Sequence, residues 1–134
     1  MGCGLHPITF PYTNIYYIAA DIGQKNLRKV KKHFKKNKIK GEILNIDLNK
    51  EIPKSKADIT FLFKILDQLP RKRVKEILVS TTSKHIIASF PTRTITGKRM
   101  NKPRRIWFEN ILKKLRYSYE IVRYFNEIFY VIKK

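Results

Sequence analysis

The residues of this chain best placed to do chemistry are a glycine pair near its start, Gly2-Cys3-Gly4, and two aspartates, Asp21 and Asp47, each standing where a strand-like run stops. In an open α/β sheet, ligands sit beyond the carboxyl ends of the strands. A glycine-rich turn lets the ligand approach the backbone there, and an acidic residue about 20 positions further on accepts hydrogen bonds from ribose hydroxyls. Asp21 fits that distance from Gly2. A lone G-x-G is weak and equally suits a structural turn, and both aspartates alone also suit turn or helix-cap positions. Cys3 and His6 have a metal-like spacing, but His33 and His85 fall in separate elements, so no metal site is expected.

The elements that must hold these residues alternate in character, which predicts an α/β fold. Gly2 to Pro11 reads as a loop entering a short helix, and Ile15 to Ala20 as a short apolar strand ending at Asp21. From Gln24 to Lys38 the apolar Leu27, Val30 and Phe34 recur at helical spacing among Lys and Arg, which predicts a helix with a narrow buried stripe. Gly41 is expected to end it, before a strand from Glu42 to Ile46 that stops at Asp47. Ala57 to Ile65 reads as a third strand, Arg71 to Thr81 as a helix, and His85 to Phe90 as a fourth strand stopped by Pro91. After a basic loop from Thr92 to Lys102, Pro103 suits the first position of a helix carrying Phe108, Ile111, Leu112 and Leu115, with Trp107 packing on its apolar side. Tyr119 to Val122 and Ile128 to Ile132 read as two strands joined by a short turn. The expected result is a mostly parallel sheet with one antiparallel edge strand.

Thirty Lys and Arg stand against ten Asp and Glu, a net charge of +20 on 134 residues of which 43% are hydrophobic. The hydrophobic share argues against disorder, and the charge points to a polyanion, most simply a phosphate backbone. Nine of the sixteen residues from Lys25 to Lys40 are Lys or Arg, with no Asp or Glu among them. Salt-bridge lacing is therefore excluded, and a phosphate-tracking face that includes Lys31 and Lys35 is the favoured expectation over a merely solvated one. A second basic cluster, Lys98, Arg99, Lys102, Arg104 and Arg105, is likewise expected to contact the phosphates of that polyanion. The seven tyrosines could stack on bases, but most fall in strand-like segments and suit the core or sheet surface better. No apolar run approaches the roughly 18 residues of a membrane span, the start lacks a signal-peptide pattern, and one cysteine makes no internal disulfide, so a cytoplasmic protein with no membrane partner is expected. The Met1-Gly2 start fails the myristoylation pattern because His6 stands where Ser or Thr is required.

Several segments carry a family resemblance. Gly2-Cys3-Gly4-Leu5-His6-Pro7, Ala20-Asp21-Ile22, Phe63-Lys64-Ile65-Leu66, Ser89-Phe90-Pro91-Thr92-Arg93-Thr94, Trp107-Phe108-Glu109 and the closing Glu127 to Lys134 resemble, in order, the aminoglycoside-resistance 16S ribosomal RNA guanine-N7 methyltransferases. The most specific piece is Ser-Phe-Pro-Thr-Arg. The resemblance implies a seven-stranded, Rossmann-like class I methyltransferase sheet, S-adenosylmethionine as cofactor, and small-subunit rRNA as partner of a monomeric enzyme. It also implies that Gly2 and Gly4 turn under the methionine part of the cofactor, that Asp21 and the adjoining Ile22 lie at its ribose, and that Asp47 and Leu48 flank its adenine. Phe63 and Lys64 are then expected near the transferred methyl group, and Arg93, Lys98 and Arg99 in the loop near the RNA target. His6 and Thr96 depart from the family, which tends to carry Asn and Gly at those positions. Guanine N7 has an in-plane lone pair and no proton, so methyl transfer is a direct displacement needing alignment rather than a general base. A covalent cytosine-C5 mechanism fits worse, since the only thiol, Cys3, lies in the glycine turn. An amino-group methylase also fits worse, because Leu66-Asp67-Gln68-Leu69-Pro70 replaces its Pro-Pro-aromatic motif.

The family fold has a strand immediately before the glycine turn, where this chain has only Met1. In the strand order 3-2-1-4-5-7-6 that first strand is central, and without it two edges are expected to stay unpaired. Met1 is accordingly expected to be an internal methionine, and residues 1–134 a single methyltransferase domain shortened at its N-terminal side. Two function classes follow: an S-adenosylmethionine-dependent rRNA methyltransferase, or a non-catalytic basic RNA-binding or ribosome-associated domain derived from one.

Overall fold

The computed structural model describes residues 1–134 except Tyr12, Thr13, Ile95 and Lys102. It divides into two compact units, Met1–Ser55 and Lys56–Lys134. No helix among the described residues is long and apolar enough to cross a membrane.

The first unit runs α1 (His6–Thr9), β1 (Tyr16–Asp21), α2 (Gln24–Lys36) and β2 (Lys40–Asn45). β1 and β2 pair in parallel from Tyr16 opposite Lys40 to Asp21 opposite Asn45. Parallel neighbours need a crossover, and α2 supplies it. Its stripe of Leu27, Val30 and Phe34 is buried, and Val30 and Phe34 pack with Tyr17 and Ala19 of β1. The helix stop differs from the one expected at Gly41. Lys38 takes the left-handed φ of 53° instead, with its N–H directed to the Lys35 carbonyl, while Ile39 N–H donates to the Phe34 carbonyl at 2.9 Å. Those paired bonds close the helix end, and Ile39 packs on the same core as Phe34. Gly41 is needed for a different reason. It lies in β2, and a Cβ there would sit 2.1 Å from the Tyr17 carbonyl oxygen and 2.9 Å from the Phe34 ring.

The second unit runs β3 (Ile59–Phe63), a 3-10 turn (Leu66–Gln68), α3 (Arg71–Ser80), β4 (His85–Pro91), α4 (Ile106–Lys114), β5 (Ser118–Tyr124) and β6 (Glu127–Lys133). Its sheet has the order β3-β4-β6-β5, with β3 and β4 parallel and β6 antiparallel to both β4 and β5. The antiparallel strand is thus internal rather than at the edge: the hairpin return lies against β4 and leaves β5 outside. Phe90, Phe108 and Tyr130 meet edge to face at 5.1–5.6 Å in the middle of the core. α4 starts at Ile106, not at Pro103, because the Arg105 carbonyl accepts the first helical bonds, from Phe108 and Glu109. Among the described residues, β1 pairs only with β2 and β3 only with β4.

Candidate functional site

In the first unit the expected site residues converge at the carboxyl end of β1. Gly2 and Gly4 both take positive φ, 60° and 49°, which their lack of a Cβ makes easy. Cys3 N–H donates to the Ala20 carbonyl at 3.0 Å, fixing the turn to the strand end. The Asp21 carboxylate then holds both sides: Oδ2 accepts from Gly4 N–H and Oδ1 from Gly23 N–H, each at 2.7 Å. Ile22, beside it, is exposed. β2 delivers the next part, with Asn45 Nδ2 donating to the carbonyls of Asp21 and Ile22 at 3.1 Å and Ile46 N–H donating to the Asp21 carbonyl at 3.0 Å. Asp47 follows at once, its Oδ1 accepting from Asn49 N–H at 2.9 Å, and Leu48 is buried. A Cβ on Gly4 would meet nothing within 4 Å, so the turn leaves open space over its backbone. Burial, aided by the Asp21 charge, pushes the Cys3 thiol up to about 11. It is therefore a protonated thiol near neutral pH and a poor nucleophile.

The remaining expected cofactor residues belong to the second unit. Phe63 ends β3 half-buried, and Lys64 follows with φ 52° and its Nζ 2.7 Å from Glu127 Oε1. Lys64 N–H donates to the Ser89 carbonyl at 3.0 Å. The Ser89 hydroxyl is buried without a hydrogen-bond partner among the described residues.

The basic loop after β4 folds into a small hairpin in which Arg93 bridges Arg99 and Thr94 N–H donates to the Lys98 carbonyl at 2.8 Å. Gly97 turns it at φ 83°. Lys98 and Arg99 are exposed at its tip. Arg93 is committed to the frame, donating from Nε to Asn126 Oδ1 at 2.8 Å and from Nη1 to the Gly97 carbonyl at 3.0 Å. Lys102 lies outside the described residues. Arg105, expected to face a phosphate, turns inward: it grips Asp67 with two nitrogens, reaches the Pro91 and Pro103 carbonyls and lies 5.3 Å from the centre of the Phe90 ring. Arg104 is engaged as well, with Nε 2.8 Å from Glu109 Oε1. Lys31 and Lys35 are exposed on α2 in the other unit.

Glu109 is the residue whose part the sequence did not reveal. Only 4% of its side chain is exposed, and besides Arg104 it accepts hydrogen bonds from Tyr130 Oη at 3.0 Å and Tyr119 Oη at 3.4 Å. The Arg104 hydrogen bond, more than any other influence, holds its carboxyl below the usual range. A depressed carboxylate stabilises fully above its unfolded value near 4.3, and that stability is lost as pH falls through the lower folded value. Glu109→Gln is expected to lower stability at neutral pH by about 2 kcal/mol, the scale of a hydrogen bond to a charged group, and to flatten the acid limb of unfolding. Urea melts of parent and variant between pH 7 and pH 3 check this.

The family model for the FmrO ribosomal RNA methyltransferases matches residues 1–131. The chain belongs to this family. No curated protein matches it in sequence. Among solved structures, the 16S rRNA methylase RmtB is similar with a TM-score of 0.82 at 23% identity, over 99% of this chain and 53% of that one. The 16S rRNA methyltransferase RmtF in complex with S-adenosyl-L-homocysteine gives 0.82 at 24%, over 99% and 54%. An rRNA methylase from Escherichia coli gives 0.79 at 20%, over 99% and 55%. This FmrO-family chain therefore has the Rossmann-like class I methyltransferase fold and spans about half the length of these structures. The glycine turn and Asp21 lie within the part the family model matches, as do Ser89 to Thr94 and Glu109.

Proposed function

We propose that this chain carries the cofactor-binding and target-facing parts of an S-adenosylmethionine-dependent methyltransferase acting on guanine N7 of small-subunit rRNA. The observation that carries the proposal is the Asp21 carboxylate fixed between Gly4 and Gly23 N–H groups beside an open glycine turn. Each oxygen keeps a lone pair for a ribose hydroxyl, and the absent Cβ on Gly4 leaves room for the methionine part, so these residues fit the cofactor. Gly2, Gly4, Asp21 and Ile22 would hold methionine and ribose, and Asp47 and Leu48 the adenine. When bound, S-adenosylmethionine supplies an electrophilic methyl group. The protein's contribution is alignment and exclusion of water, since N7 has no proton to remove. Lys98 and Arg99, with Lys31 and Lys35, supply exposed charge for phosphates, while Arg93, Arg104 and Arg105 shape the loop that presents them. RmtB and RmtF are named as 16S rRNA methylases, which supports the same substrate here. Residues 1–134 act as one methyltransferase domain in this reading.

Calorimetry with S-adenosylhomocysteine is expected to give saturable heat. In parallel, rRNA affinity should fall with salt, and reversing Lys31, Lys35, Lys98 and Arg99 to Glu should reduce the log–log slope by about 0.7–0.9 for each phosphate no longer neutralised. No heat at high cofactor concentration, with RNA binding intact, would leave a non-catalytic RNA-binding domain instead.

A further inference from the structure

The hairpin between β5 and β6 closes through two residues, Phe125 and Asn126, with Tyr124 paired to Glu127 at its base. Two-residue hairpin loops favour Gly, Asn or Asp where φ is positive. Here the first loop position is Phe125, at φ 52° and 92% exposed. Of the other non-glycine residues with positive φ among the described residues, Lys38 and Arg116 close helices and Lys64 follows a strand end, and all three are polar. An aromatic ring in a strained backbone position, buried against nothing, serves neither the turn nor the core. Strain of this kind collects at functional sites.

The ring's surroundings indicate what it meets. Asn126 is braced by the basic loop: its carbonyl accepts from Thr92 N–H at 2.8 Å and its Oδ1 from Arg93 Nε at 2.8 Å. The tip is therefore held by the same hairpin that exposes Lys98 and Arg99. Exposed Arg123 and Tyr124 precede the ring, and the one acid beside it, Glu127, is paired with Lys64. A rigidly presented aromatic among unopposed cations matches the way proteins take unpaired bases, by stacking on the base while cations hold the adjacent phosphates. We propose that Phe125 is a stacking platform for an unpaired base of the RNA, fixing the strand's register against the basic loop. The proposal rests on the rRNA reading above and goes beyond it by naming a positioning residue at the β5–β6 tip, beside the Lys64–Glu127 pair.

The test separates stability from recognition. Phe125→Gly suits the backbone better, so it is expected to melt at or above the parent temperature. Two RNA probes are used with the full chain: a hairpin with 2-aminopurine in an unpaired loop, and the same sequence closed into a duplex. Phe125→Gly is expected to bind the duplex as the parent does, bind the looped probe about tenfold more weakly, and lose the fluorescence quenching that stacking produces. Phe125→Trp should retain both affinity and quenching. Parent-like binding and quenching of the looped probe by Phe125→Gly overturns the inference, as does an equal loss on both probes. A parent chain that binds neither probe overturns the rRNA reading itself, and this inference with it.

Discussion

Replacing Asp21 with alanine is expected to lower S-adenosylhomocysteine affinity at least about 100-fold while RNA affinity stays within about twofold of the parent, because RNA affinity is set mainly by phosphate contacts elsewhere. The side chain does two jobs. It accepts the 2.7 Å bond from Gly4 N–H that holds the glycine turn against the strand end and a second, equally short, from Gly23 N–H, and under the proposed function its outward lone pairs are the ones offered to ribose. Charge-assisted bonds of this kind are about twice as strong as neutral ones, and a half-buried N–H left unpaired costs about 1–3 kcal/mol. Losing both anchors and the ribose acceptors together therefore exceeds the roughly 2.7 kcal/mol that a 100-fold change represents. Asp21→Asn provides the internal control. Its amide oxygen can keep one backbone bond while its NH2 can accept neither the second backbone bond nor a ribose proton, so an intermediate affinity is expected. Calorimetry with the cofactor product and filter binding with rRNA give the two numbers, and parent-like cofactor affinity in Asp21→Ala would remove Asp21 from the site.

Asp21 was legible because two weak signals coincided: a glycine pair and an acid, separated by about one strand and its approach, at the end of an apolar run. The α2 stripe was legible because Lys and Arg surround Leu27, Val30 and Phe34 so completely that only one face can be buried. What escaped the sequence depended on partners distant in the chain. Composition supplies the charge of Arg105 but cannot supply Asp67, 38 positions away, so a residue clamped inward resembled a phosphate contact. Pro103 fits a helix start by local preference, yet the first helical bonds come from the Arg105 carbonyl. Glu109 belongs to a recognisable Trp-Phe-Glu segment, but its role follows from Tyr130, which β6 brings back across the sheet. Phe125 was hidden inside a turn defined only by the strands on either side of it.

Gly41 shows the same limit from the side of sterics, and its replacement by alanine is expected to be the most damaging small change in the chain. Sequence preference made it a helix stop, a position that tolerates other residues at modest cost. In the fold it faces Tyr17 across the parallel pair, and the nearest obstacle to a Cβ, at 2.1 Å, is a backbone carbonyl oxygen. A flexible side chain could swing away, but this oxygen moves only if β1 moves. Relieving the clash means parting β1 from β2 at the rung just inside the start of the ladder. Overpacking typically costs about 1–3 kcal/mol, and the absence of any side-chain escape puts this case at the upper end or beyond. A loss of about 3 kcal/mol lowers the melting temperature by roughly 10 °C or more. Cofactor affinity should fall with it, because Asp21 is held at the far end of the same strand and Asn45 reaches it from β2. Trimming the ring, as in Phe34→Leu with Gly41→Ala, removes only the 2.9 Å contact and is expected not to rescue. Thermal melts and amide exchange across β1 and β2 decide the matter: a Gly41→Ala chain that melts within about 2 °C of the parent would mean the strands separate at little cost, and that pairing with β2 is not what holds Asp21 in place.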